Sequence, residues 1–429
     1  MPRIVHMTSA HPRYDTRIFV KQCRTLAAHG HEVSLVVADG RGDEVRDGVR
    51  IVDAGSPGGR PAGEPGTGSA GAAPPSRRGA LAGRLERMLL ATRRVAAHAL
   101  ALEPDMVQLH DPELLPAGLR LQRSGIHVVF DAHEDVPAQL LDKPYLPPAA
   151  ARLLSAAYAR YERYACARLD GLLAATPLIS ARLEACNPRT LDIANYPLPE
   201  EFFPVRESDG DDAGHSNNDN CNAGNGNGNG NGNHDDGEPR AQVCYVGSIS
   251  AIRGVRELVH ACDLLRTPTT LVLAGGFSEP ALAAEVAALP GWSRVRALGH
   301  LDRAGVAGVM RRSCAGLVTL LPTASYRDAL PVKMFEYMAA GIPVIASDFP
   351  RWRAIVDASE CGLCVDPGDP AAIAAAIDRL AGDPELARRL GANGRRAVEQ
   401  RYNWRQEAQK LIRFCDDLCR HPLAHRLAL

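Results

Sequence analysis

The sequence predicts an α/β protein made of two doubly wound domains, each with a mostly parallel sheet covered by helices. Short runs rich in Val, Ile and Leu alternate with longer helical patterns from the first residue to the last. A length of 429 residues suits two domains. A polar stretch of Gly and Asn interrupts the alternation once, after which the same rhythm restarts.

The first domain is predicted to span residues 1–199. Its strand candidates are short apolar runs, at residues 3–7, 32–38, 50–53, 106–109, 127–132, 171–175 and 190–194. Helical patterns at residues 17–29 and 149–169 lie between them. Residues 55–79 are rich in Gly, Pro and Ala, and they are predicted to form a flexible surface loop.

Residues 200–240 are predicted to be a linker that carries the low-complexity Gly/Asn insertion, because this composition cannot offset the entropy of ordering. The second domain follows at residues 241–402. Its strands are predicted at residues 241–248, 270–274, 295–298, 316–321, 343–347 and 363–366. Residues 403–429 contain a C-terminal helix that we expect to pack back on the first domain.

Composition excludes some classes of function. The chain has 49 Lys and Arg against 50 Asp and Glu, so it lacks the chain-wide basic field that holds a nucleic acid. Neither a secretory signal pattern nor an apolar run long enough to span a membrane is recognisable, which predicts a cytoplasmic protein. Its 11 cysteines are odd in number and scattered, which favours reduced thiols over a disulfide framework.

The most informative stretch is residues 323–347, which follows a predicted strand and enters a helix near Pro331. Free backbone N–H groups and the helix dipole make such a terminus a receptor for phosphate. Asp328 would lie at its entrance and Glu336 further along the helix. Taken alone, the pair favours a helix cap for Asp328 and a solvated helix acid for Glu336.

The complete stretch resembles the retaining glycosyltransferases of family 4, which have the GT-B fold of two Rossmann-like domains facing a cleft. Their signature is two acids separated by seven residues and followed by a small-residue turn and a Pro-Val strand, as in Asp328, Glu336 and Pro343-Val344. Further blocks that resemble the family lie at residues 11–19, 110–113, 131–134, 247–254 and 402–404. The assortment is most similar to bacterial enzymes of capsule, exopolysaccharide or O-antigen assembly.

The resemblance implies that Asp328 is catalytic and contacts hydroxyls of the donor sugar, while Glu336 holds the nucleotide ribose. The first acid is usually Glu in the family, and Gly is common where Pro331 stands. Lys333, or the backbone amides of Leu330 and Val332, could replace the lost contact to the donor diphosphate.

Residues 247–254 follow a strand and open a helix, so that Arg253 would aim a cation at the same cleft. Relatives commonly carry an arginine where this chain has Ser248 in the donor site. From the residues alone, Arg253 could also be a surface arginine that closes a tight turn. The arrangement requires neither a metal nor a cofactor, because the cations and the helix terminus would stabilise the leaving nucleotide.

In the first domain, the resemblance places His110 near the transferred sugar as a catalytic residue. Glu134 or Asp135 is expected to face the acceptor, with a cap of the following segment as the equal alternative. The loop residues Arg13, Asp15 and Arg17 are expected to bind an anionic acceptor or the donor diphosphate, with a solvated loop as the alternative.

The sequence therefore predicts a retaining glycosyltransferase that moves a sugar from a nucleotide-diphosphate sugar to a lipid-linked or oligosaccharide acceptor in bacterial surface polysaccharide biosynthesis. A basic amphipathic pattern at residues 77–98 predicts contact with an anionic membrane, at the inner face of the cytoplasmic membrane, unless it is an ordinary crossover helix. Two alternatives stay open. One is a sugar-nucleotide epimerase of the same architecture, and the other is a catalytically weak sugar-nucleotide-binding scaffold.

Overall fold

The computed structural model describes residues 1–56, 77–143, 146–202 and 241–420. Two α/β domains with largely parallel sheets are present, which confirms the predicted fold class. Most of the predicted loop at 55–79, nearly all of the linker at 200–240 and the last nine residues of the chain, 421–429, lie outside the described residues.

The sheet of the first domain has eight strands in the order β3-β4-β2-β1-β5-β6-β7-β8. The strands are β1 (Arg3–Met7), β2 (Glu32–Val37), β3 (Glu44–Arg46), β4 (Val49–Asp53), β5 (Met106–Leu109), β6 (His127–Ala132), β7 (Gly171–Ala174) and β8 (Thr190–Asp192). All neighbours pair in parallel except β3 and β4, which form a hairpin. The parallel strands end at one edge of the sheet, where a crevice can hold ligands.

Helices cover both faces of this sheet. They are a π-helix (Thr16–Cys23), α1 (Arg24–Ala28), α2 (Arg77–Ala101), α3 (Leu115–Arg123), α4 (Val136–Leu141), α5 (Pro148–Cys166) and α6 (Pro177–Glu184). The core on one face joins the strands to α2, α3, α5 and α6. The core on the other face contains the π-helix and α1.

The second domain has six parallel strands in the order β11-β10-β9-β12-β13-β14. They are β9 (Gln242–Val246), β10 (Thr270–Ala274), β11 (Val295–Gly299), β12 (Ala315–Val318), β13 (Val344–Ser347) and β14 (Gly362–Val365). The helices of this half of the chain are α7 (Val255–Leu264), α8 (Pro280–Ala287), α9 (Arg303–Arg311), α10 (Val332–Ala339), α11 (Pro350–Ser359), α12 (Pro370–Gly382), α13 (Pro384–Gln400) and α14 (Trp404–Arg420).

The last helix, α14, crosses back to the first domain. Leu411 and Leu418 are buried in the core formed with β1, β2 and α1. The indole nitrogen of Trp404 donates a hydrogen bond of 2.9 Å to the hydroxyl of Thr25. The amphipathic period of this helix explains the packing, because its apolar stripe has a sheet face to cover.

The two domains also touch beside the cleft. The carboxylate of Asp142, just after α4, accepts hydrogen bonds from the backbone N–H groups of Ser325 and Ala324, at 2.9 and 3.3 Å. Tyr196 packs edge-on against Phe335 of α10, with ring centres 4.8 Å apart. In the four described ranges, no helix has both the length and the apolar character needed to cross a bilayer.

Candidate functional site

Two cations converge on the turn that follows β9. Gly247 adopts a left-handed conformation there, with φ of +110°, which favours glycine. A Cβ atom at this position would lie 3.5 Å from Nζ of Lys333 and 3.9 Å from a guanidinium nitrogen of Arg253. Glycine therefore keeps open the space beside both charges.

The ammonium group of Lys333 has no hydrogen-bond partner among the described residues, although Nζ is shielded from solvent. It lies 3.7 Å from the centre of the Tyr245 ring, which gives a cation–π contact. Burial and the charge of Arg253 hold the pKa of Lys333 well below its ordinary value of 10.5. An unpaired buried cation beside a second cation is a strong receptor for an anion.

Arg253 is held in place by two neutral acceptors. It donates to the carbonyl oxygen of Ser248 at 3.0 Å and to the hydroxyl of Tyr326 at 3.3 Å. No carboxylate of the described residues pairs with it, so its charge stays available. The exposed hydroxyl of Ser248 bonds to that of Ser278 at 2.8 Å.

The start of α10 completes this region. The helix begins at Val332 after Pro331, and no side chain caps it. Within the described chain, the backbone N–H groups of Leu330 and Val332 donate no hydrogen bond. Asp328 is exposed and forms neither a hydrogen bond nor an ion pair with the described residues, so it is not the helix cap that the sequence allowed as an alternative.

Glu336 is only 8% exposed, which excludes the alternative of a solvated helix acid. Its Oε1 accepts a hydrogen bond of 2.9 Å from Arg303 at the start of α9. Arg303 also pairs with Glu201, immediately before the undescribed linker. Sequence reasoning missed Arg303, because nothing in its local pattern signals a contact with a residue of another helix.

Lys21 is a second residue that sequence reasoning missed. It lies in the π-helix of the first domain and is almost fully buried. Its ammonium donates to the side-chain and backbone oxygens of Asn195, at 2.5 and 3.2 Å. Burial lowers the pKa of Lys21 to about 7, against the opposing charges of Glu336 and Glu201.

In the first domain, His110 is fully buried at the end of β5. Its two ring nitrogens face Nδ1 of His6 at 2.9 Å and a carboxylate oxygen of Asp131 at 3.2 Å. In this conformation the imidazole is closed off from any ligand. Its assignment as a catalytic residue therefore stays a prediction that needs an opening of this network.

Asp131 organises that network. It accepts two hydrogen bonds from Arg17, at 2.6 and 2.9 Å, and one from Gln22 at 2.7 Å. Burial alone would raise the pKa of Asp131, but Arg17 and His110 hold it well below its ordinary value. The donor atoms of His110, Asp131 and His133 lie within 4.8 Å of one another, yet the Arg17 guanidinium already supplies the positive charge that a metal would bring.

The three charged residues expected to bind a ligand in the N-terminal loop have partners within the first domain. Arg17 is committed to Asp131, and Arg13 is buried in ion pairs with Asp39 and Glu44. Asp15 accepts hydrogen bonds from two backbone N–H groups at the start of the π-helix. These contacts stabilise the domain and exclude a solvated loop for Arg13 and Arg17. Binding of an acceptor or a diphosphate by these residues stays a prediction.

At the neighbouring strand end, Asp135 caps α4 by accepting a hydrogen bond from the N–H of Ala138 at 3.3 Å. Glu134 is exposed and has no ion pair or hydrogen bond within the described chain. Of the two acids considered for the acceptor, Glu134 is therefore the one left accessible.

Comparisons with known proteins agree with this architecture. The family described as "Glycosyltransferase Family 4" matches residues 16–191, and the family described as "Glycosyl transferases group 1" matches residues 232–397. The chain belongs to glycosyltransferase family 4. Together the two matches span both sheets of the chain and include the regions around His110, Arg253 and Glu336.

Among curated relatives, the phosphatidyl-myo-inositol mannosyltransferase of Mycobacterium leprae is 31% identical over 179 residues, which are 41% of this chain and 43% of that protein. The match thus spans less than half the length of this relative. Among solved structures, the sucrose-phosphate synthase of Thermosynechococcus elongatus has a TM-score of 0.68 at 20% identity, covering 97% of this chain and 99% of that one. The HepE protein of Anabaena in complex with UDP-glucose has a TM-score of 0.65 at 13% identity, covering 97% of this chain and 100% of that one. At these identities the structures show that the chain shares the GT-B fold.

Proposed function

We propose that this glycosyltransferase moves a sugar, with retention of anomeric configuration, from a nucleotide-diphosphate sugar to a lipid-linked or oligosaccharide acceptor. The pathway we propose is bacterial surface polysaccharide biosynthesis. The observation that carries the proposal is the pair of cations beside Gly247. Lys333 and Arg253 meet there without a carboxylate partner among the described residues.

A diphosphate suits this pair better than a single carboxylate does. It brings more than one negative charge, and the uncapped start of α10 adds free backbone N–H groups next to Lys333. Relatives commonly carry an arginine where this chain has Ser248. Lys333, which comes from another element, would supply the cation that position 248 lacks. That argument favours an enzyme over a weak sugar-nucleotide-binding scaffold.

The two acids of the motif, Glu336 and Asp328, would bind different parts of the donor. Buried Glu336 is oriented by Arg303 and would accept hydrogen bonds from the ribose, while exposed Asp328 would meet hydroxyls of the sugar. HepE was solved with UDP-glucose, which supports a nucleotide-diphosphate sugar as the kind of donor.

The reaction we propose forms a bond between the acceptor oxygen and the anomeric carbon, and it breaks the bond from that carbon to the phosphate oxygen. The acceptor proton passes to the departing phosphate on the same face of the sugar, so no protein nucleophile is invoked. Lys333 and Arg253 stabilise the charge that develops on the leaving diphosphate. These two cations make a metal unnecessary in this scheme.

An anionic membrane is the proposed location of the acceptor. Eight exposed arginines lie on three helices of one face of the first sheet, and we call this surface the basic layer: Arg87, Arg93 and Arg94 on α2, Arg120 and Arg123 on α3, and Arg152, Arg160 and Arg163 on α5. None of them forms an ion pair with a described residue. The described side chains of these helices include one exposed acid, Glu86.

Apolar side chains accompany the charges of the basic layer. Leu153 is 72% exposed, and Leu89 and Tyr164 are each 49% exposed. Exposed arginines mixed with exposed apolar groups suit the interface of an anionic bilayer. The name of the mannosyltransferase relative, which acts on phosphatidyl-myo-inositol, also supports a lipid acceptor at the inner face of the cytoplasmic membrane.

The test is nucleotide binding followed by transfer. Thermal unfolding is measured with UDP, GDP and ADP and with their sugar conjugates, for the parent protein and for Lys333→Met. Arg311→Met, which removes an exposed cation of the same domain, is the matched control. We expect one nucleotide class to stabilise the parent and the control but not Lys333→Met.

The stabilising sugar nucleotide is then incubated with a bacterial lipid extract. A glycosylated lipid or oligosaccharide supports the proposal. Conversion of the sugar nucleotide without an acceptor would identify an epimerase, and binding without any turnover would identify a scaffold. Stabilisation that survives in Lys333→Met would overturn the donor site itself.

A further inference from the structure

Two histidines flank a tight turn on the side of the first domain away from the basic layer. His29 immediately follows α1 and His31 immediately precedes β2. Between them Gly30 has φ of +101°, a conformation that favours glycine and that brings both imidazoles toward α14. Nε2 of His29 lies 3.5 Å from Oδ2 of Asp416, and Nε2 of His31 lies 3.1 Å from Oδ1 of the same carboxylate.

These distances match the edges of a metal polyhedron. The donor atoms of His29, His31 and Asp416 all lie within 4.8 Å of one another. Zinc bonds to nitrogen and oxygen are about 2.0–2.1 Å long, so adjacent ligands of a tetrahedral zinc ion are roughly 3.3 Å apart. The two measured contacts lie on either side of that length, although they end on different oxygens of Asp416, so that the carboxylate would turn one oxygen toward both imidazoles.

The contact between His31 and Asp416 is not a hydrogen bond. Nε2 of His31 is shielded from solvent and makes no hydrogen bond, despite the carboxylate oxygen at 3.1 Å. Two atoms that are close but not aligned for sharing a proton are in the relation expected of two ligands of one cation. A buried ring nitrogen without a partner is the independent sign of a missing ligand.

The charges around the cluster also favour a metal. A neutral imidazole is the form that ligates metals, whereas it gains little from an ion pair with a carboxylate. Arg420 also contacts Oδ2 of Asp416 at 3.3 Å, but its side chain is 71% exposed and can leave at small cost.

We propose that His29, His31 and Asp416 form a zinc site that fastens α14 to the first domain. Two imidazoles and one carboxylate suit zinc, and water completes the coordination. Magnesium is a poor match, because it prefers oxygen ligands. The role of the site is structural: zinc would join the turn between α1 and β2 to the helix α14.

The experiment uses the full chain, stripped with a chelator and kept in a reducing agent that is not a thiol. Zinc is titrated by competition with a chromophoric chelator, and thermal unfolding is followed with zinc and with magnesium. His29→Ala and Asp416→Asn each remove one ligand. Asp417→Asn makes the same change of charge one residue further along α14 and is the matched control.

We expect one zinc ion per chain, an increase in Tm with zinc but not with magnesium, and at least about tenfold weaker binding in both ligand variants, since one of three protein ligands is lost. Asp417→Asn should bind like the parent. Cobalt should replace zinc without a thiolate-to-metal charge-transfer band, because no cysteine takes part.

Two outcomes would overturn the proposal. The first is the absence of saturable zinc binding by the parent chain. The second is zinc bound equally well by His29→Ala and the parent, which would assign the metal to thiols elsewhere. If Asp416→Asn does not fold, His29→Ala alone decides, because its side chain is 43% exposed and its removal disturbs little packing.

Discussion

Arg303 joins Glu336 to Glu201 through its guanidinium group. It donates a hydrogen bond of 2.9 Å to Oε1 of Glu336, and its other terminal nitrogen pairs with Glu201. One arginine therefore connects the carboxylate proposed for the ribose to the last described residues before the linker. Arg303 contacts a single oxygen of Glu336, and the second oxygen has no hydrogen bond within the described chain, so it can accept a hydrogen bond from a ribose hydroxyl.

Glu336→Gln is predicted to weaken every nucleotide, including the bare diphosphate and the nucleoside. A lost charge-assisted hydrogen bond is worth roughly 1.5–3 kcal/mol, or about 10- to 150-fold in affinity. Calorimetric titration measures the effect, and circular dichroism checks the fold. Glu385→Gln changes an exposed acid of the same domain and should bind like the parent. Unchanged affinity in Glu336→Gln would remove the ribose assignment.

Asp328→Asn is predicted to behave differently. Asp328 is exposed and unpaired among the described residues, so replacing its carboxylate with the amide of Asn should leave the fold and the affinity for bare nucleotide unchanged. Transfer from the intact donor should fall, because hydrogen bonds to sugar hydroxyls can tighten as the anomeric carbon gains charge. Initial rates with the intact donor are compared with the nucleotide titrations. A rate equal to that of the parent contradicts a role at the sugar.

The strands were predictable because buried parallel strands are short continuous runs of Val, Ile and Leu. One strand was missed, β3, which is short, charged and at the sheet edge. A signal for it existed: Asp47-Gly48, both with positive φ, connects β3 to β4, and Asp-Gly is a frequent hairpin turn. The π-helix at Thr16–Cys23 was predicted only as a helix, since side-chain periodicity does not distinguish the two forms over so short a segment.

The site was predictable only in part, because sequence motifs indicate residue types and not their partners. Lys333 was proposed from its place in the motif, but its lack of a partner depends on packing over Tyr245. Arg13 and Arg17, in contrast to Lys333, each pair with a carboxylate. Both are charged residues in a loop, and the carboxylates that bind them come from distant parts of the chain.

The basic layer is predicted to bind anionic vesicles. Changing Arg152, Arg160 and Arg163 of α5 to Gln should weaken binding roughly 100-fold, at about 1 kcal/mol for each basic residue near the surface. Co-sedimentation with vesicles of increasing phosphatidylglycerol content measures it. The matched control changes three exposed arginines of the second domain, Arg311, Arg388 and Arg389, to Gln.

Equal loss in the two triple variants would show that net charge matters and not the basic layer. Absence of binding by the parent protein would also rule out the membrane assignment. Higher salt should release the parent from vesicles, since exposed charges are screened.

Lys333→Met is predicted to stabilise the free protein while abolishing its response to nucleoside diphosphates. Burial without a partner makes the ammonium form of Lys333 costly, and methionine fills the space over Tyr245 without a charge. Urea unfolding of both proteins without nucleotide measures the gain. A structural lysine would give the opposite sign, namely a loss of stability on substitution.

The pH dependence follows from the same lysine. Its pKa in the folded protein lies well below 10.5, so between those two values the unfolded chain binds more protons than the folded one. The free energy of unfolding of the parent therefore rises with pH in that window, and the advantage of Lys333→Met in unfolding free energy shrinks as the pH approaches 10.5.

A bound diphosphate favours the ammonium form of Lys333 and raises its pKa, so nucleotide binding should take up a proton in the parent but not in Lys333→Met. Calorimetry in buffers of different ionisation enthalpy measures this uptake. If the two proteins take up protons equally, Lys333 does not face the diphosphate, and the cation pair beside Gly247 has another purpose.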